Sequence, residues 1–154
     1  MNSPGSKSGL DSLPIGEEMH RWMAELFPIC RSITGNGVRE TLGRIQERIP
    51  LTINEVPSGT KVFDWTVPLE WNIQDAYIKN LRGERVVDFQ QSNLHVVSYS
   101  QPVKQRMSLA ELKEHLHTLP DRPEWIPYRT AYYKESWGFF LSHSQFLQLK
   151  DEEY

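Results

Sequence analysis

The 154-residue sequence predicts an α+β chain, with two N-terminal amphipathic helices and a strand followed by a small β-rich module with one short helix. Three observations lead to this class. Ile15, Met19, Trp22, Met23 and Leu26, and then Val38, Leu42, Ile45 and Ile49, recur at helical spacing on either side of a glycine turn. Near Lys61 the composition shifts to aromatics and β-formers, with prolines at Pro68, Pro102, Pro120, Pro123 and Pro127. Beyond that point, Arg82-Gly83 and Lys134-Glu135-Ser136 each separate two strand-like runs.

Residues 1–14, rich in Ser and Gly and without apolar period, are expected to form a disordered leader. The first helix starts near Gly16, with Glu17 and Glu18 where the helix dipole favours negative charge, and Pro28 is expected to kink or end it nearby. Gly35 and Gly37 then form a turn, and a second helix begins at Val38. Both apolar stripes need a surface to cover, and the alternating run 51–56 after Pro50 is the nearest candidate strand. Pro57-Ser58-Gly59 is a turn, placing a boundary between residues 15–60 and residues 61–150.

In the second region, 76–81 and 84–89 read as a hairpin around Gly83, and 94–99 as a third strand. Ser108 and Glu111 form a capping box for a short helix with the stripe Leu109, Leu112 and Leu116. Residues 128–133 and 137–141 read as a second hairpin, and Ser142 with Gln145 repeats the capping signal for a last helix through Phe146 and Leu149.

The formal net charge is -3 with both signs mixed along the chain, which gives no electrostatic footprint for nucleic acid or an anionic membrane. No run approaches the roughly 18 consecutive apolar residues of a membrane span, and no cationic-then-apolar signal opens the chain. A cytoplasmic location is the expectation, and the single Cys30 fits it.

Several residues invite a chemical reading. His115 and His117 suggest metal binding, but inside a predicted helix residues two apart point in opposing directions. His115 is then expected on the solvent face. His20, His95 and His143 have no carboxylate or thiolate at ligand spacing, so neither a catalytic group nor a metal site is expected from this chain alone. Cys30 beside Arg31 could be an activated thiol or a small core residue. The Gly35-Asn36-Gly37 turn could bind an anion or simply start a helix. Tyr133, Glu135 and Trp137 around the second hairpin could line a substrate pocket, Glu135 holding an ammonium and Trp137 stacking on it, or could cover the sheet. Phe63, Trp65 and Trp71 suit a core or an interface equally.

The runs PICRSITGNGVRETL, NEVPSGTKVFDWTVPLEWNIQDAYI, NLHVVSYS and LKEHLHTLPDRPEWIPYRTAYYKESWGFFLSH resemble, in that order, the aminopeptidase-like family of bacterial and archaeal proteins. That family is similar to the co-catalytic zinc exopeptidases, and the resemblance covers nearly everything from Gly16 to Tyr154. It implies that residues 15–60 are the N-terminal part of an α/β domain of zinc-exopeptidase type. Residues 61–150 would be an inserted module of unknown function, and 151–154 the start of the return to the α/β domain. It also implies two zinc ions activating a bridging water, a carboxylate as general base, and a peptide substrate held by its amino terminus. The family's zinc motifs follow the matched region, so the resemblance places a C-terminal catalytic region beyond Tyr154, with no zinc and no turnover from this chain alone. Some family members are named for polysaccharide biosynthesis. The alternative is a non-catalytic binding or interaction module using the aromatic surface of Trp65, Trp71 and Trp137.

Overall fold

The computed structural model describes residues 15–131 and 134–154. In chain order these form α1 (Ile15–Leu26), α2 (Asn36–Gln46), β1 (Lys61–Val62), β2 (Trp65–Thr66), β3 (Tyr77–Lys79), β4 (Arg85–Asp88), a 3-10 turn (Asn93–His95), α3 (Leu109–Lys113), β5 (Leu116–His117), β6 (Phe139–Phe140) and α4 (His143–Leu147). The strands pair as three two-stranded sheets, so the class is α+β. The expected leader, residues 1–14, lies outside the described residues.

The two N-terminal helices form where the apolar period places them. Glu17 and Glu18 occupy the first turn of α1, and the helix ends at Leu26, two residues before Pro28, with Phe27 N–H bonded to Met23 O at 2.9 Å. Gly35, at φ 94, opens α2 in a backbone region that other residues rarely enter. Arg48 joins the two helices, pairing with Glu18 at 2.9 Å and lying 5.0 Å over the Trp22 ring. The apolar side of α1 stays uncovered, with Ile15, Met19 and Met23 each more than half exposed.

Residues 51–56, expected as a strand, form no ladder among the described residues. Leu51 and Ile53 are half-buried and Thr52 and Asn54 exposed, so the alternation is present without the ladder that a sheet requires. A hairpin absent from the sequence reading follows. β1 and β2 pair Lys61 with Thr66 and Val62 with Trp65, and Phe63 at the turn has φ 54 and is fully exposed.

The hairpin of β3 and β4 forms around Gly83, which takes φ 79 as the turn requires. The expected strand 94–99 does not form. Ser92 accepts from Leu94 N–H, the chain winds through the 3-10 turn, and only Val96 and Ser98 make isolated bridges, to Phe139 and Thr130. The second expected hairpin, whose residues 132 and 133 lie outside the described ones, shows no pairing of 128–131 with 137–141 among the described residues. β6 pairs in parallel with β5, Leu116 beside Phe139 and His117 beside Phe140, and Val97 N–H donates to Gly138 O at 3.1 Å on the other side. The physical reason is the unbroken apolar run Phe139-Phe140-Leu141. An edge hairpin would bury one face, whereas this central position leaves Phe140 and Leu141 with no exposed surface.

Both capping boxes are present. Ser108 and Glu111 start α3, and Ser142 and Gln145 start α4. α3 is shorter than the sequence suggests, because His115 turns back on Leu112 O and its own carbonyl accepts from Phe139 N–H at 2.8 Å. Leu116 and His117 therefore belong to β5. Among the described residues the core holds Ile78, Val87, Val96, Val97, Leu109, Leu112, Leu116, Phe140 and Leu141, of which Ile78, Val87, Leu112, Leu116 and Leu141 form one cluster with Trp137, Phe146 and Tyr154 packed against it. At the chain end Met107 and Tyr154 exchange two backbone hydrogen bonds, at 3.1 and 2.9 Å.

Candidate functional site

Between the residues that precede β3, the segment that precedes α3 and the bend at Lys134 lies a groove of about 1000 Å³, at the upper end of the range for small-molecule sites. Glu135 and Trp137, expected as substrate contacts, both line it, and Trp71 joins them. Tyr133, the third expected contact, lies outside the described residues. Phe63 and Trp65 belong neither to the core nor to the groove, since their hairpin is exposed throughout.

The N-terminal segment holds one end of the groove in place. Tyr99 stands 5.7 Å from Trp71, ring to ring, at a 31° tilt. Thr34 Oγ1 lies 2.7 Å from the Tyr99 hydroxyl and accepts from Trp71 N–H at 3.4 Å, while Trp71 Nε1 donates to Ser100 O at 3.0 Å. Tyr99 also holds φ 68, a left-handed backbone that a non-glycine residue adopts at a cost of roughly 1 to 3 kcal/mol. This pair was not legible in the sequence, because Thr34, Trp71 and Tyr99 lie in three separate runs.

Two arginines neutralise the acids along one wall. Arg39 of α2 pairs with Glu70 through both terminal guanidinium nitrogens and, through Nε, with Glu55 at 2.9 Å. The Arg39 hydrogen bond holds the Glu70 carboxyl below its usual value. Arg85 pairs with Asp75 at 2.8 Å and lowers that carboxyl in the same way. Glu135 makes no ion pair or hydrogen bond among the described residues and is exposed on the rim. Trp137 is fixed by a stack on His115, with centroids 3.7 Å apart and planes 15° apart, and His115 Nδ1 lies 3.2 Å from Trp137 O.

That stack corrects the placement of the histidines, since His115 is half-buried against an indole and not on a solvent face. His95 is buried with Nδ1 2.7 Å from Phe140 O, and His143 Nδ1 lies 3.0 Å from the Thr118 hydroxyl. Among the described residues no three His, Cys, Asp or Glu side chains converge as metal ligands. This donor set does not fit a zinc site. Burial pushes the Cys30 thiol up, away from the thiolate an activated nucleophile requires. At the helix start the Asn36 N–H is already taken, donating to Asn72 Oδ1 at 2.7 Å.

His117 carries a pH dependence. Burial lowers its pKa from 6.5, and the nearby charges of Arg129 and His115 act in the same direction. The unfolded chain therefore binds the proton more readily than the folded one, so this residue makes stability fall as pH drops through 6.5 toward the folded value. Urea midpoints measured from about pH 7.5 to about pH 5 should decline more steeply for the parent than for His117→Gln. Parallel pH profiles would contradict this assignment.

The comparisons with known proteins bear on the same region. Residues 70–154 match the profile described as Domain of unknown function (DUF2172). A Clostridium acetobutylicum protein, provisionally named a polysaccharide biosynthesis protein with aminopeptidase-like domain, is 58% identical over 144 residues, covering 94% of this chain and 33% of the relative. A crystal structure of a provisionally assigned peptidase from the same organism superposes with a TM-score of 0.87 at 59% identity, covering 91% of this chain and 33% of that one. The chain thus spans about a third of the length of the relatives it matches. No helix among the described residues is long and apolar enough to cross a membrane.

Proposed function

Since the chain belongs to the family described as Domain of unknown function (DUF2172), through a match to residues 70–154, we propose that it is the N-terminal, substrate-facing part of an aminopeptidase-like protein. In this reading the longer protein is a zinc exopeptidase acting in the cytoplasm on the amino terminus of a peptide, and its metal ligands come from residues outside this chain. The chain itself contributes the groove. The observation that supports the reading is the convergence of Glu135 and Trp137 on that groove, in a chain 58% identical to part of a protein named for an aminopeptidase-like domain. Glu135 holds the substrate ammonium at the rim while Trp137, locked against His115, presents an indole beside it.

The test uses a protein extended to the full length of the relatives and assayed on chromogenic amino-acid amides. Glu135→Gln should lower kcat/KM by about 10-fold to 150-fold, the value of a charge-assisted hydrogen bond at about 1.4 kcal/mol per decade. Its melting temperature should stay unchanged because the side chain is exposed. An unchanged kcat/KM would remove Glu135 from the site, and absence of any turnover in the metal-loaded full-length parent would remove the peptidase reading.

A binding-module reading remains alongside this one. The observation favouring it is the Trp71 and Tyr99 pair, whose polar atoms are already bonded to Ser100 and Thr34.

A further inference from the structure

We propose that the Trp71 and Tyr99 end of the groove is a saccharide subsite, taking a neutral glycan chain or the sugar-bearing part of a substrate. The inference rests on reading the groove as substrate-facing and adds the class of ligand. It follows from the anchored aromatic rings, the amides and the charge pattern of the lining.

The aromatic rings are fixed in advance. Trp71 is anchored through Nε1, Tyr99 through its hydroxyl and Trp137 through its stack on His115. With Nε1 engaged at Ser100 O, the Trp71 indole lines the groove beside Tyr99. Rigid aromatic surface suits the C–H face of a pyranose, which it can cover without ordering flexible side chains. The left-handed backbone at Tyr99 is strain held at this spot, as is common where a side chain is aimed at a ligand.

The polar groups point to hydroxyl recognition. Gln74, Gln101 and Gln105 line the groove with planar amides that both donate and accept. The charge pattern argues against other ligands. Glu70 and Asp75 are neutralised by Arg39 and Arg85, so this end of the groove does not attract a cation. The cations Lys104 and Lys134 do not converge with an arginine fork of the kind that grips phosphate. A neutral, polyhydroxylated ligand with apolar faces matches the remainder. The volume of about 1000 Å³ suits several linked rings better than one.

The experiment titrates the 154-residue chain with cellohexaose, chitohexaose and maltohexaose, and separately with penta-alanine, following tryptophan fluorescence and saturation-transfer NMR. At least one hexasaccharide is expected to give a saturable response with a Kd of about a millimolar or tighter. Trp71→Phe and Gln101→Ala should each weaken it, and Trp137→Ala by at least about 5-fold. Gln101 is exposed, so its variant keeps the fold and decides the matter even if Trp137→Ala does not fold. Failure of all three hexasaccharides to bind the folded parent, or binding indifferent to Gln101→Ala and Trp71→Phe, would overturn the subsite. Saturable binding of penta-alanine alone would overturn it in favour of a peptide groove. Glycan binding by this chain together with a full-length protein inactive on amino-acid amides would leave the subsite standing and remove the peptidase reading.

Discussion

Phe140→Ala is expected to destabilise the chain by about 3 to 5 kcal/mol, the largest effect of any single truncation here. Phe140 has no exposed surface, its ring lies 5.6 Å from that of His117 and 6.5 Å from that of Tyr128, and its carbonyl meets buried His95 at 2.7 Å. Alanine would leave a cavity at the meeting point of β5, β6 and the 3-10 turn, whose backbone bonds limit how far the walls can collapse. At this chain length the loss corresponds to a fall in Tm of about 6 to 20 °C. Phe63→Ala is the control, since that ring is fully exposed and its removal should change stability by no more than about 0.5 kcal/mol. Urea denaturation of both variants is the measurement. A loss below about 1 kcal/mol for Phe140→Ala would mean that β6 is not the centre of the core.

Gly37→Ala and Gly43→Ala should move stability in opposite directions although both lie in α2. Helix propensity alone favours alanine over glycine by about 1 kcal/mol at either position. At Gly43 nothing lies within 4 Å of the added Cβ, so that gain should appear as a slightly higher Tm. At Gly37 the Cβ would fall 2.0 Å from Cys30 O and 2.8 Å from the Cys30 carbonyl carbon. These are backbone atoms, and the turn leading into α2 would have to move. Overpacking typically costs about 1 to 3 kcal/mol and occasionally more, so a net loss of about 2 kcal/mol is expected. The displacement should also reach the groove, because Asn36 N–H is bound to Asn72 and Arg39 of the same helix grips Glu70. If Gly37→Ala melted as high as Gly43→Ala, the close approach of the 30–31 backbone would be wrong.

The bonds from Thr34, Asn36 and Arg39 to the groove wall give the N-terminal segment a role that its sparse burial does not suggest. Only Gly35 and Thr41 are buried among described residues 15–60, yet three of the side chains or amides there position Trp71, Asn72, Glu70 and Tyr99. A segment with little core of its own therefore shapes the groove through polar contacts. Losing its fold would release the aromatic pair.

What the sequence determined by itself is local. The 3.6-residue apolar period located α1 and α2, the two capping boxes located the starts of α3 and α4, and Arg82-Gly83 located the hairpin of β3 and β4. The unusual aromatic block also led to Glu135 and Trp137, which the structure does bring to one groove. In each case the signal and its cause lie within a few residues of one another. Tertiary structure alone decided the rest. The runs 51–56, 94–99 and, among the described residues, 128–131 carry strand-like composition, but a strand exists only where another backbone supplies the ladder, and β6 found that ladder in β5 and Val96. The same holds for His115, whose ring lies against Trp137, 22 residues away, and for Trp71 and Tyr99, joined through Thr34 across 37 and 65 residues. Burial of Phe140 and Leu141 outweighed local hairpin preference, because hydrophobic burial sums over the whole core while a turn signal acts on only a few residues.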